Sequence, residues 1–572
     1  MNHKSFIIII LILPIIVFAR QITVNSATQI NGGSWSGGDT IIMKNGTWTN
    51  QSIVIKGTGT SNNPIVILAE TAGNVTLSGT SKIAISGNYI VVSGLYFKNG
   101  NLSGSEVVSF RTSSSEFANN CQLTNTAIQN YNPIDNTVDS KWVSLYGKNN
   151  KVDHCSFENK NNSGTLLVVW LQSGVVPNHI IDQNYFGFRN SNLDATGAEL
   201  NGQEIIRVGD SSTSMQTAGV VVSNNFFEHC NGEIEIISNK SCGNLYSNNL
   251  FWECHGMLTL RHGNGCIVEG NYFFGNGISG SGGVRIIGEN HKVYNNYFDK
   301  LRGTDARSAI CMVRGKLNSL ANEYFQVKNA VVTFNTIVDC TQSFSINYNS
   351  GTTYTMPPIG SVIAHNNVYN STSSNVNVDV DQTDVAMDVI WKNNLMNQGK
   401  YSNFTYSATQ IITGKDPKMT LVNTTTNMYE PVNGSALSNY STTEYPDITK
   451  DIRGRSREAT AKLPGASHIS GTISRLMPKK STVGATFIND TITANKPIAS
   501  TTEFNAYVSD HQIITRVSMP GKLYIYNTLG KCLDQQAVKE GIFSIQSVQK
   551  GTYILNFISN SGIQYYKKIL VK

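Results

Sequence analysis

Two glutamates one residue apart, Glu233 and Glu235 in CNGEIEIISNK, have a type and spacing that could do chemistry. On a strand, side chains at i and i+2 leave from one face, so both carboxylates point outward while Ile234 and Ile236 point inward. Adjacent carboxylates repel unless a cation joins them, and hard oxygen ligands select calcium; two solvated surface glutamates are the alternative. Lys240 follows in the turn after Glu235, and LTLRHGN supplies Arg261 further on. Laying CNGEIEII over CHGMLTLR sets Glu233 beside Met257, Glu235 beside Thr259 and Ile237 beside Arg261. Arg285 in GGVRIIG comes one unit later, and Asn201 and Glu204 in LNGQEIIRVG one unit earlier. Oxygen ligands, a lysine and arginines then share one outer groove.

Such a groove needs stacked, equivalent elements, and the chain supplies a repeat. The segments IIDQNYF, VVSNNFF, LYSNNLF, IVEGNYF and VYNNYF carry asparagines at 184, 225, 249, 271 and 296, with weaker copies at Asn335, Asn367 and Asn394. The middle spacings are 24, 22 and 25 residues, too short for propeller blades of roughly 40. A strand-turn-strand unit of this length cannot bury its apolar face alone and must stack on its neighbours. The pattern predicts an all-β fold, a right-handed parallel β-helix, with the asparagines stacked at one turn. Phe186, Phe227, Phe251, Phe273 and Phe298, each two residues beyond an asparagine, form an internal ladder at about 4.8 Å spacing.

Composition narrows the class. Only 14% of the 572 residues are charged and 49 are glycine, which disfavours a helical bundle. The net charge of +6 comes without long basic runs, which argues against a nucleic-acid binder and suits an enzyme with a local basic cleft for a polyanion. The start, MNHKSFIIIILILPIIVFARQ, has Lys4 before the apolar run Phe6–Phe18 and a small-residue site ending at Ala19. It reads as a signal peptide over residues 1–19, too short for the roughly 20 residues of a transmembrane span. The nine cysteines show no CxxC spacing; Cys230 and Cys254 occupy similar contexts and read as packing positions, with a disulfide open. The main domain is expected over residues 20–490 and includes DIRGRSR near its end. A polar linker spans 491–504, and a β-sandwich-like module spans 505–572, built on QIITRVS, KLYIYNTLG, GTYILNFIS and QYYKKILVK.

Two resemblances follow. NGQEIIRVG, GEIEIISNKS, LTLRHGN and GGVRIIGENHKVYNNYF, in this order, resemble the motifs of polysaccharide lyase family 6, the alginate and dermatan sulfate lyases of parallel β-helix fold. The similarity covers roughly residues 22–485. It implies calcium ligation by Asn201, Glu204, Glu233 and Glu235, Lys240 as general base, Arg261 as the partner usually assigned general acid, and Arg285 on the substrate. His262 and Tyr324 lie in family-like stretches and are grouped with Arg285 on the substrate side without a defined role. The implied activity is β-elimination on a uronate polymer, alginate first and dermatan sulfate second, by an exported protein. The carboxy-terminal module resembles the sorting domain of the type IX secretion system, a carbohydrate-binding sandwich being the alternative. A β-helix hydrolase would need paired acids flanking the bond, and no Asp-Asp pair is present; a noncatalytic glycan-binding β-helix is a further alternative.

Overall fold

The computed structural model describes residues 19–488, apart from 195, 350–351, 383 and 424–427, and residues 504–571, apart from 510–511, 518, 528–531, 546–550 and 561–563. The expected leader therefore lies outside the described residues except for Ala19. The expected linker does too, except for Phe504, which opens a strand. The chain divides into two compact units, Met1–Asn489 and Asp490–Lys572.

The first unit is a parallel β-helix. Three sheets of 14, 14 and 15 strands run along it, and successive strands within each sheet come from successive coils. Buried asparagines hold the coils in register. Asn225 Nδ2 donates to Asn249 Oδ1 at 3.0 Å, Asn249 to Asn271 at 2.9 Å, Asn271 to Asn296 at 3.0 Å, and Asn296 to Asn335 at 3.0 Å. The residue before each of these is in the left-handed region, as at Asn224 (φ 55°), Asn248 (φ 53°) and Gly270 (φ 67°), which turns the chain from one sheet into the next. Glycine and asparagine suit that conformation best. Beyond Asn335 the expected order needs a correction: the ladder continues through Asn366 to Asn394, not through Asn367. Asn367 is one step out of phase, inside a strand, with Nδ2 against Met419 Sδ.

The apolar side of the same repeat is a column of stacked rings. Phe157, Phe186, Phe227, Phe251, Phe273 and Phe298 follow one another with centroids 4.5–5.2 Å apart. Each ring buries its faces between its neighbours, so the ladder supplies both apolar area and offset stacking. Cys230 and Cys254 are buried and unpaired, with the Cys230 N–H directed at Cys254 Sγ at 3.4 Å. DIRGRSR fastens the following segment to the solenoid: Arg457 donates to Asn295 Oδ1 at 2.7 Å, and Arg455 to Asp451 at 2.7 Å and Glu430 at 3.0 Å.

The second unit contains two antiparallel sheets, one of three strands and one of four. Their core gathers Phe504, Ile513, Leu523, Ile525, Leu555 and Phe557. No helix among the described residues is long and apolar enough to cross a membrane.

Candidate active site

The third sheet of the solenoid carries the residues singled out by type. Four of its successive strands are Ile206–Gly209, Glu235–Lys240, Met257–His262 and Val284–Ile286. Arg207 pairs with Ser238, Ser238 with Thr259, and Thr259 with Arg285, giving one outward column. Two residues further along, Gly209 pairs with Lys240, and Lys240 with His262.

This register corrects the expected alignment. Glu235, not Glu233, lies beside Met257, and Ser238, not Glu235, lies beside Thr259. The pairing slips twice, between Glu235 and Ile237 and between Asn239 and Lys240, so strict alternation fails here. In consequence Ile236 and Ile237 both enter the core, while Ile234 stays half-buried outside it. Lys240 is the last residue of the strand, not part of the turn after it.

The carboxylates are not solvated surface groups. Glu204 is 1% exposed, and Glu233 and Glu235 are each 7% exposed. Each has a partner within the chain. Glu235 accepts from Ser238 Oγ and from Arg285 Nη2, and lies 3.6 Å from Arg261 Nε. Glu204 accepts from Thr165 Oγ1 at 2.7 Å and faces Lys240 Nζ at 3.7 Å. Glu233 accepts the Gln203 N–H at 3.1 Å. Burial, then the negative charges of Glu204 and Glu235, push the Glu233 carboxyl up to about 8, against the opposing pull of Lys240. His262 is 1% exposed; burial, then Arg261 and Lys240, push it down to about 3, so it is a neutral imidazole. Its Nε2 lies 3.3 Å from Ser211 Oγ. Tyr324 sits under Arg261, with the guanidinium carbon 4.2 Å from the ring centroid, and helps bound a cavity of about 170 Å³ shared with Arg285, Tyr348 and Tyr354.

Lys240, Arg261, His262, Arg285 and Tyr324 thus meet with the three glutamates on one face. Asn201 is exposed at the edge, and its Oδ1 accepts the Gly202 N–H. Type and burial suit calcium: hard oxygens, three carboxylates gathered out of water, and one of them forced towards neutrality by burial and by the charges of the other two. The geometry alone does not, because no group of three or more His, Cys, Asp or Glu side chains among the described residues is placed to hold a metal. Glu235 is turned onto Arg285, so ligation requires it to rotate.

Sequence reasoning missed Ser238, Thr165 and Arg189. Arg189 is buried behind the glutamates, donating to the carbonyls of Glu204 at 3.0 Å and Gly164 at 2.8 Å. A lone arginine in FGFRN and a threonine 39 residues before Glu204 give no signal until the coils are stacked.

The model of the chondroitinase B family matches residues 25–445, more than half of the chain. Among solved structures, a variant of the polysaccharide lyase family 6 alginate lyase AlyGC is 30% identical, with TM-score 0.68, over 81% of this chain and 58% of that one. AlyGC itself is 32% identical, with TM-score 0.64, over 75% and 60%. A mannuronic acid specific family 6 lyase from human gut microbiota is 29% identical, with TM-score 0.59, over 68% and 89%. The chain spans less than two thirds of the length of the two AlyGC structures. A search of curated proteins gave no match. With the motif order, the fold and the matched length in agreement, the chain belongs to the chondroitinase B family, alongside the family 6 polysaccharide lyases.

Proposed function

We propose that the protein is an exported, calcium-dependent polysaccharide lyase that cleaves alginate by β-elimination. One observation carries the reading: Lys240, Arg261 and His262 stand on adjacent coils of one outer face, beside three buried glutamates and Arg285. Lys240 takes the proton from C5 of a uronate. The C5–H electrons form the C4–C5 double bond, the C4–O bond breaks, and the leaving oxygen takes a proton from water. Arg261, held between Tyr324 and Glu235, steadies the charge on that oxygen; a guanidinium hardly gives up its own proton. Arg285 and neutral His262 orient the sugar. A calcium ion held by Asn201, Glu204, Glu233 and Glu235 would supply Lewis-acid stabilisation of the uronate carboxylate as C5 loses its proton.

AlyGC and the gut lyase, named for alginate and mannuronic acid, favour alginate. The family-model match favours the second reading, dermatan sulfate. The apolar leader and the strand-rich tail support export, the tail by the type IX route. The test is incubation with alginate, its mannuronate and guluronate blocks and dermatan sulfate, each with and without chelator. Ultraviolet absorbance of the unsaturated product follows the reaction. Saturated products would make the protein a hydrolase, and binding without product a glycan-binding module.

A further inference from the structure

The outward column that contains Lys240 continues towards the amino terminus as a set of stacked planar groups. The Arg111 guanidinium carbon lies 3.9 Å from the Tyr146 ring centroid. Tyr146 stacks on Trp170 with centroids 6.2 Å apart and planes 12° from parallel. The Arg207 guanidinium carbon lies 5.1 Å from the Trp170 centroid. Backbone pairing places the set on the catalytic sheet: Val169 pairs with Val208, one residue before Trp170 and Gly209, and Gly209 pairs with Lys240. Gly209 (φ 83°) lies at the level between the indole and the lysine, and a Cβ there would come within 2.6 Å of the Lys240 carbonyl. Trp170 is thus two coils, about 10 Å, from Lys240, and Tyr146 one coil further.

The charges along this path decide what it can hold. Tyr146 Oη donates to Glu106 at 2.9 Å, and Arg111 lies 3.9 Å from the same carboxylate. Asp139 is paired with Lys141. Among the described residues Arg207 pairs with no carboxylate: its guanidinium rests on the indole, and its Nε is buried without a hydrogen-bond partner. A cleft of about 440 Å³ opens beside the stack, bounded by Glu106, Arg111, Lys141, Tyr146 and Trp170. Cation–π stacking keeps a guanidinium flat with its donor edge free, the geometry suited to a carboxylate.

We infer that the Arg111–Tyr146–Trp170–Arg207 stack is a remote binding platform for the anionic polysaccharide, holding sugar units two and three coils from the scissile bond. The inference rests on the lyase reading for its orientation. The occupant is an extended uronate chain lying along the solenoid axis, its carboxylates on the arginine edges and its sugar rings against the exposed rim of the half-buried indole. A platform this far from the bond contributes binding common to ground and transition states, so it affects long substrates selectively.

Trp170→Ala and Arg207→Gln test it with two readouts. In kinetics, the ratio of kcat/KM for polymeric alginate to that for the shortest oligosaccharide cleaved should fall about tenfold in each variant, mainly through KM, corresponding to about 1.4 kcal/mol. An equal fall for both lengths, or none, overturns the platform. In affinity electrophoresis through alginate, the parent should be retarded and both variants less so, whether or not the protein turns alginate over. If no polymer yields unsaturated product but the variants lose retardation, the lyase reading fails and the platform stands. An unretarded parent, or variants retarded like the parent, overturns it. Circular dichroism and the more conservative Trp170→Phe, which should restore part of the retardation, guard against misfolding.

Discussion

Asn271→Ala should loosen the solenoid at the coils that carry the site. The Asn271 side chain accepts from the Asn249 N–H and from Asn249 Nδ2, both at 2.9 Å, and donates to the Tyr246 carbonyl at 2.9 Å and Asn296 Oδ1 at 3.0 Å. All of this lies out of water, with Asn249, Asn271 and Asn296 at 0% exposure. Alanine leaves the Asn249 N–H without its acceptor, at about 1–3 kcal/mol, while Asn249 Nδ2 retains Val222 and Asn296 Oδ1 retains the Asn271 N–H. The other three lost bonds, at about 0.5–1.5 kcal/mol each, bring the total to about 5 kcal/mol. In a stacked array a loss of this kind falls on the affected coil and its neighbours. Hydrogen exchange should therefore show lost protection in Leu245–Ser247, Leu250–Trp252 and Ile267–Glu269, with the Asp490–Lys572 unit unaffected. Activity should fall as Arg261 and Arg285 lose their fixed relation. Native protection throughout, with a denaturation midpoint equivalent to within about 1 kcal/mol of the parent, would refute the idea that the asparagine ladder sets the register.

Further outcomes are expected. Lys240→Met should lower turnover at least about 100-fold with the fold retained, measured on product absorbance; activity within a few-fold of the parent would reassign the base. Glu235→Ala should weaken calcium binding, read by calorimetry and elemental analysis, with partial recovery of activity in excess calcium; full parental activity in excess chelator would sink the metal reading. Glu233, raised from 4.5 to about 8 in the fold, contributes stability that is present below about 4.5 and lost as pH rises through about 8. A bound cation favours its ionised form, so the rise in Tm on adding calcium should be larger above pH 8 than near pH 4.5; an equal rise at both would count against Glu233 as a ligand. Removing residues 505–572 should leave the Met1–Asn489 unit folded and active, since each unit has its own core; unfolding of the purified truncation would show otherwise.

The sequence by itself determined the solenoid and picked out most of the side chains that meet in the candidate site. A repeat of 22 to 25 residues with a recurring asparagine and phenylalanine is a local pattern, and stacking similar coils lets each bury its apolar face. Lys240, Arg261 and Arg285 come from three successive coils of that repeat and fall on one side of the stack, although not at equivalent points of it. What the pattern left undecided is the fine register. The two-residue shift of the whole pairing that, with the first slip, brings Ser238 rather than Glu235 beside Thr259, and the shift from Asn367 to Asn366, depend on how one coil relaxes against the next. Burial is likewise a property of the assembled stack: Glu204, Glu233 and Glu235 read as surface residues along a strand, yet Thr165, Gln203 and Arg285 from other coils close over them. The rise of the Glu233 carboxyl and the suppression of the His262 charge follow from that enclosure. Charge separation costs little in water and much in a coil interior, and only tertiary structure decides which of the two a side chain meets.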